Sequence, residues 1–205
     1  KKGEFQKYHI YQTPLELIII KFAGRSDFVL QHQAKIFNSI ALKTPTSALK
    51  QFVAPNTKFE VNFPEYYVTD NIENAGKKLL QGYRDGAYYF VQENVLNDIS
   101  YIEEDSFKAK YFHHALYKHY KINEEKGGFK RGDYKTYESE AILDTISNKK
   151  LHLKTIVKDG SYYLLGYVGT NSNDKDVFFN SFKLNKTSYI DDFEKVIDTS
   201  LHFSV

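Results

Sequence analysis

Phe37-Asn38-Ser39-Ile40-Ala41-Leu42 returns 142 positions later as Phe179-Asn180-Ser181-Phe182-Lys183-Leu184. Each copy follows two apolar stretches that read as a hairpin, and each precedes a polar segment leading into a new strand. Aligning Gly24 with Gly169 superposes the hairpins. Beyond the echo, an ungapped offset pairs Thr57-Lys-Phe-Glu-Val with Thr199-Ser-Leu-His-Phe. Solenoid units repeat every 20–50 residues or so, so a period this long points to tandem domains. The spacing predicts about one and a half copies. Residues 1–43 would be the C-terminal part of a first repeat, 44–56 a linker, 57–186 a complete repeat, and 187–205 a linker and the first strand of a further one.

A chain of 205 residues has room for one sizeable core, or for one domain with fragments. The net charge of +2 makes no global electrostatic case for nucleic acid or anionic membrane. No apolar run approaches the length needed to span a bilayer. The absence of cysteine excludes disulfides, thiolate metal sites and cysteine nucleophiles, and it fits a periplasm as well as any other compartment. With no methionine either, we expect a processed or truncated product, any signal peptide or lipid-anchor cysteine lying upstream.

Along the chain, residues 4–11 read as a strand turning at Gln12-Thr13-Pro14. Leu15 to Phe22 is nearly all apolar, a pattern expected of a strand buried on both faces or central in a sheet. A loop after Gly24 and a short helix over 31–42 follow, with Ala34, Phe37, Ala41 and Leu42 at helical spacing. Phe59, Val61 and Phe63 alternate with polar residues up to Pro64. Asp85-Gly86 joins strands over 77–84 and 87–94 through a hairpin-type turn. Asp105 is the expected N-cap of a helix to about Tyr120. Gly127-Gly128 is expected to break the chain, a strand of unclear register falls within 134–146, and Asp159-Gly160 joins the second hairpin over 150–157 and 162–168. Asn173 or Asp174 is expected to cap the helix bearing Phe178, Phe179 and Phe182.

The order of elements over residues 57–186 resembles the PsbP/Mog1-like α/β/α sandwich. The resemblance rests on an opening Phe59-Glu60-Val61-Asn62-Phe63-Pro64 and a closing Phe178-Phe179-Asn180-Ser181-Phe182-Lys183-Leu184, preceded by Gly160-Ser161-Tyr162-Tyr163. It implies an α+β fold, an antiparallel β-sheet with helices packed on it, serving as a non-catalytic binding or assembly module. It supplies no catalytic residue to carry over. The compositional style and tandem arrangement are similar to those of Bacteroidota envelope proteins.

The one suggestive cluster is a basic, aromatic helix, with Lys108, Lys110, His113, His114, Lys118, His119 and Lys121 as a possible binding surface. Cations interleaved with aromatics suit phosphate backbones and bases, or glycans and lipid headgroups. The plainer reading is an amphipathic helix with its aromatics on the sheet and its lysines in water. As a metal site the histidine spacing is wrong, because two ligands on one helical face must lie three or four positions apart, and His113 and His114 lie six and five positions from His119. Gly127 to Gly132 has phosphate-loop spacing, but Asp133-Tyr134 stands where Lys and Ser or Thr belong, so a flexible turn is the better reading. Asn171 to Asp176 lacks the ligand pattern of a calcium loop and suits helix capping. Asp144-Thr145-Ile146 resembles a short O-glycosylation acceptor of that phylum, against the plainer reading of Thr145 as a strand residue.

With no nucleophile elbow and no His-Glu-x-x-His pair, the sequence supports no catalytic, cofactor or metal site. The expectation is a periplasmic or outer-membrane-associated accessory module, possible as an occluding subunit of a transport or secretion complex, with another envelope protein or glycan as partner. The alternatives are a hydrolase with dispersed carboxylates or histidines, and a binder of anionic polymers through the helix over 108–121. A concave pocket gathering Asp, Glu or His with perturbed pKa values would favour the hydrolase.

Overall fold

A computed structural model describes residues 3–42, 47–55, 58–72, 77–95, 105–130, 134, 136–158, 161–185, 197–198 and 203–204, with side chains at 71–72, 95, 105–108, 197–198 and 203–204 left aside. The first unit is a hairpin, β1 (Glu4–Gln12) and β2 (Leu17–Arg25), in unbroken antiparallel register from Glu4↔Arg25 to Gln12↔Leu17. Thr13 closes its turn by accepting from the Glu16 N–H at 2.8 Å. Helix α1 (Ser26–Asn38) follows without a loop. The apolar run over 15–22 is therefore not central in a sheet. It forms half of a two-stranded hairpin in which exposed and half-buried residues alternate strictly, because only one face has a helix on it. The side of α1 turned inward carries Val29, Ile36 and Phe37, whereas Ala34, Ala41 and Leu42 are exposed.

The larger unit begins inside the segment read as a linker, where Leu49–Val53 forms β3 and pairs with β4 (Phe59–Pro64). After β5 (Tyr67–Ile72) come β6 (Lys77–Arg84) and β7 (Ala87–Val95), joined as anticipated by Asp85 and Gly86 at φ 49° and 83°. Positive φ at both central residues is what a two-residue hairpin of this twist needs. Helix α2 (Asp105–Tyr120) leads into β8 (Glu124–Lys130), β9 (Thr136–Asp144), β10 (Lys149–Lys158) and β11 (Ser161–Gly169). Gly127-Gly128 breaks nothing: both residues sit inside β8, hydrogen-bonded to β9. The turn at Asp159-Gly160 lies outside the described residues. Helix α3 (Ser172–Ser181) and a two-residue strand, β12 (Lys183–Leu184), complete the unit. The cap of α3 is Asn171, not Asn173 or Asp174, its side-chain oxygen accepting from the Asn173 N–H at 3.0 Å. The terminal strand expected from residue 199 falls almost wholly outside the described residues; those that are described pair Ile197–Asp198 with Phe203–Ser204.

A seven-stranded antiparallel sheet of order β5-β6-β7-β11-β10-β9-β8 forms the centre, and a three-stranded sheet of order β12-β4-β3 lies beside it. Alternation along the strands sends neighbouring residues to opposite faces. Tyr163, Leu165 and Tyr167 join Phe63, Phe178 and Phe179 in one core, under α3 and the small sheet. Leu164, Leu153 and Ala141 meet Tyr117 of α2 on the other face. The chain is thus an α+β protein, of antiparallel sheets and three helices among the described residues. Each large apolar side chain fully buried in these layers contributes roughly 1.5–3 kcal/mol.

The sequence echo has a physical meaning. Ser39 Oγ donates to the Ile36 carbonyl at 2.7 Å, and Ser181 Oγ donates to the Phe178 carbonyl at 2.8 Å. Each serine hydroxyl adds a hydrogen bond to a carbonyl in the last turn of its helix, where the helix's own donors run out; the Ile36 carbonyl also accepts from the Ser39 N–H at 3.1 Å. Ser181 also accepts from the Asn62 N–H at 2.9 Å, tying β4 to α3.

Candidate functional site

Helix α2 turns Ala109, Phe112, His113, Leu116 and Tyr117 toward the sheet, at the helical spacing of a packed face. His113, proposed from sequence as a surface residue, is 0% exposed. Its Nδ1 lies 2.6 Å from Ser139 Oγ and its Nε2 lies 2.8 Å from Thr155 Oγ1, while the Tyr117 hydroxyl lies 2.5 Å from the same Ser139. Burial, aided by the charge of His114, pushes His113 down to about 3, so the ring is neutral and held on both nitrogens. It is a core residue and belongs to no surface.

Lys110, His114 and Lys118 do share one solvent-facing stripe, four residues apart, and His119 and Lys121 are exposed beside them. Lys121 ends the helix in the left-handed region at φ 56°. His114 Nε2 lies 2.8 Å from Glu124 Oε2, and the other oxygen of Glu124 accepts from the Tyr137 hydroxyl at 2.7 Å. An acid therefore sits within the basic stripe. The side chain of Lys108 lies outside the described set.

The sequence reading missed a cleft of about 380 Å³ on the opposite face, between α3 and the strands β8, β9 and β10. Lys126, Gly128 and Lys130 share that face of β8, Glu138 and Glu140 line β9, His152 lines β10, and Lys175 and Phe179 reach in from α3. Glu140 is shared by Lys126 at 3.5 Å, Lys150 at 3.5 Å and His152 Nδ1 at 3.4 Å. Glu138 is paired with Lys130 and lies 3.9 Å from Lys154, whose ammonium donates to the Phe179 carbonyl at 3.2 Å. Burial alone would raise Glu140, but Lys150, His152 and Lys126 outweigh it and hold the carboxyl below its ordinary range. Burial lowers His152, with the charge of Lys175 acting the same way. Burial also lowers Lys154, against the pull of Glu138. The available signal was the charge alternation in β9 and β10, where residues two apart share a face. The convergence of three strands on a helix was not visible.

A smaller, more apolar cavity of about 250 Å³ lies between the two sheets, lined by Phe52, Phe59, Leu80 and Val91, with the buried Glu93 at its wall. Lys58 Nζ lies 3.4 Å from that carboxylate. On the first hairpin, the face away from α1 exposes Tyr8, Ile10, Leu17 and Ile19 by 54–62%. Ile10 and Ile19 are direct cross-strand partners within it.

The remaining motifs resolve into local structure. Asn171 to Asp176 is the cap and first turn of α3. Asp144 closes a turn by accepting from the Ile146 and Ser147 N–H groups at 3.0 and 3.1 Å, so Thr145 stands in an exposed turn and is not a strand residue. The end of the supposed phosphate loop, 131–133, lies outside the described residues. Among the described residues, no three His, Asp or Glu side chains are grouped to hold a metal ion, and no helix is long and apolar enough to cross a membrane.

No family model matches the chain, and no curated protein matches it in sequence. In structure the chain is similar to a cyanobacterial PsbP (CyanoP) from Synechocystis, at 11% identity and a TM-score of 0.49, over 71% of this chain and 98% of that one. It is also similar to a protein from Bacteroides thetaiotaomicron at 11% identity and a TM-score of 0.46, over 74% of this chain and 52% of that one. Both are likenesses of fold, and no ligand, partner or residue role comes from either.

Proposed function

We propose that the chain is a non-catalytic binding module of the cell envelope, built on a tandem repeat and docking to an outer-membrane transport or secretion protein. The observation that carries this reading is the exposed apolar face of the first hairpin. Four large side chains, Tyr8, Ile10, Leu17 and Ile19, stand together in water on two paired strands. Such a patch marks a surface that something covers. An envelope setting accords with a cysteine-free chain.

The test is a photoreactive residue at position 10 of the natural protein, irradiated in envelope preparations. An adduct with an outer-membrane protein, lost in an Ile19→Lys variant, is the expected result. Adducts with the protein itself alone, or none, would sink the docking reading.

The charged cleft supplies the concave gathering of Glu and His on which the hydrolase reading depended. Its electrostatics argue for holding a ligand and not for moving a proton. A general acid needs a carboxyl raised toward the working pH, and here Glu140 is held down by cations on three sides.

A further inference from the structure

We propose that the cleft between α3 and the β8–β10 strands binds a small polyanion, a molecule carrying two or more phosphate or carboxylate groups. The lining contains three lysines, Lys126, Lys130 and Lys175, against two carboxylates, Glu138 and Glu140, and Lys154 stands directly behind it, against the lining residues Phe179 and Glu138. A solvated sheet face laced with cross-strand ion pairs would match its charges one to one. Here the carboxylates are oversubscribed. Glu140 answers Lys126, Lys150 and His152, and Glu138 answers Lys130 and Lys154. Lys175 has its neighbour Asp176 at 3.0 Å, and Lys150 has Glu125 at 3.3 Å, both outside the lining.

Lys154 carries the argument furthest. Its side chain is only 15% exposed, and its ammonium rests on a backbone carbonyl and the more distant oxygen of a carboxylate already engaged by Lys130. Taking an ammonium out of water is costly unless a full counter-charge meets it. An anion entering the cleft supplies that charge where partial burial strengthens the attraction. Lys126 and Lys130 flank the entrance, about 13 Å apart at the rise of a strand. Gly128 lies between them on the same face, opposite Glu138. A Cβ built on Gly128 meets nothing within 4 Å, so the missing side chain leaves an open notch into the cleft.

The test is calorimetric and NMR titration of the whole chain at low salt with pyrophosphate and with citrate, using glucose as the neutral control. Saturable binding of either anion is expected, with amide shifts at 126–130, 152 and 175; tighter pyrophosphate assigns a phosphate ligand, and tighter citrate a carboxylate ligand. Gly128→Leu, which fills the notch, and Lys154→Gln should each weaken binding at least tenfold. Lys126→Gln with Lys130→Gln should do so without touching the fold, since both side chains are mostly exposed. Lys110→Gln with Lys118→Gln, on the other face, should change nothing. No binding of either anion, shifts confined to α2, or full affinity in the Lys126→Gln, Lys130→Gln protein would overturn the assignment.

Discussion

Mild acidification should destabilise this protein, with His113 as a principal cause. His113 is fully buried and bonded at both nitrogens by hydroxyls, with no carboxylate against it among the described residues, so the site accepts a neutral ring. Burial, aided by the charge of His114, pushes its pKa down from an ordinary 6.5 to about 3. A depressed histidine contributes its stability above the unfolded pKa and loses it as pH falls toward the folded one. The window is therefore 6.5 down to 3. Between pH 7.5 and pH 5 the unfolded state takes up nearly a full proton that the native state refuses. At 1.36 kcal/mol per unit, that removes about 2 kcal/mol, against a ceiling of about 5 kcal/mol once the pH is below both values. Total stability of a domain is only about 5–15 kcal/mol, so the loss should be plain in urea titrations followed by circular dichroism at pH 7.5, 6 and 5. His113→Gln removes the titrating group and should lower stability at pH 7.5 while flattening its pH dependence by that same amount. His152 is shifted in the same direction and remains in both proteins, so the difference in slope isolates His113. Equal slopes in the two proteins would refute the argument that this ring is held neutral.

Ser181→Ala should cost about 1–2 kcal/mol in urea unfolding, because Ser181 serves both the Phe178 carbonyl and the Asn62 N–H. Ser39→Ala should cost less, since among the described residues the Ser39 hydroxyl bonds the Ile36 carbonyl alone and the residue is exposed. Gly166→Ala should cost about 1–3 kcal/mol by overpacking, since its Cβ would lie 2.0 Å from the ring of Phe90; the thermal midpoint reads it out. Ile10→Lys with Ile19→Lys should leave stability within about 0.5 kcal/mol, both residues being exposed, while abolishing crosslinking from a photoreactive residue placed at position 17 of the same face.

What the sequence disclosed was what neighbouring residues decide. Asp85-Gly86 fixes its own turn, Phe59, Val61 and Phe63 reveal their strand by alternation, and the Phe-Asn-Ser echo records a serine closing a helix end three residues from its carbonyl. The failures were cases where distant context overruled local pattern. Leu17 to Ile20 has the composition of a central strand but has one neighbour strand and one covering helix. Gly127-Gly128 has the composition of a breaker, yet β9 supplies the hydrogen bonds that keep it extended. His113 looks the same as His114 in the sequence, and only its place on the buried side of α2 separates a core ring from a surface one.

The cleft likewise lies beyond any local reading. Glu138, Glu140, His152 and Lys154 belong to two strands whose pairing puts them on one face, and Lys175 joins them only because α3 folds back over β11 and β4. None of these residues is unusual in its own segment. Only with Lys126 and Lys130 of β8 added do cations outnumber carboxylates, and that excess, which emerges when three strands and a helix meet, holds Glu140 down where a general acid needs its carboxyl raised. A module that presents an apolar face on one unit and a cationic cleft on the other has two chemically distinct surfaces. Loss of one by Ile10→Lys with Ile19→Lys should leave anion binding intact, and Lys126→Gln with Lys130→Gln should leave crosslinking from position 10 intact. If either pair of substitutions abolished both, the two surfaces would be parts of a single site.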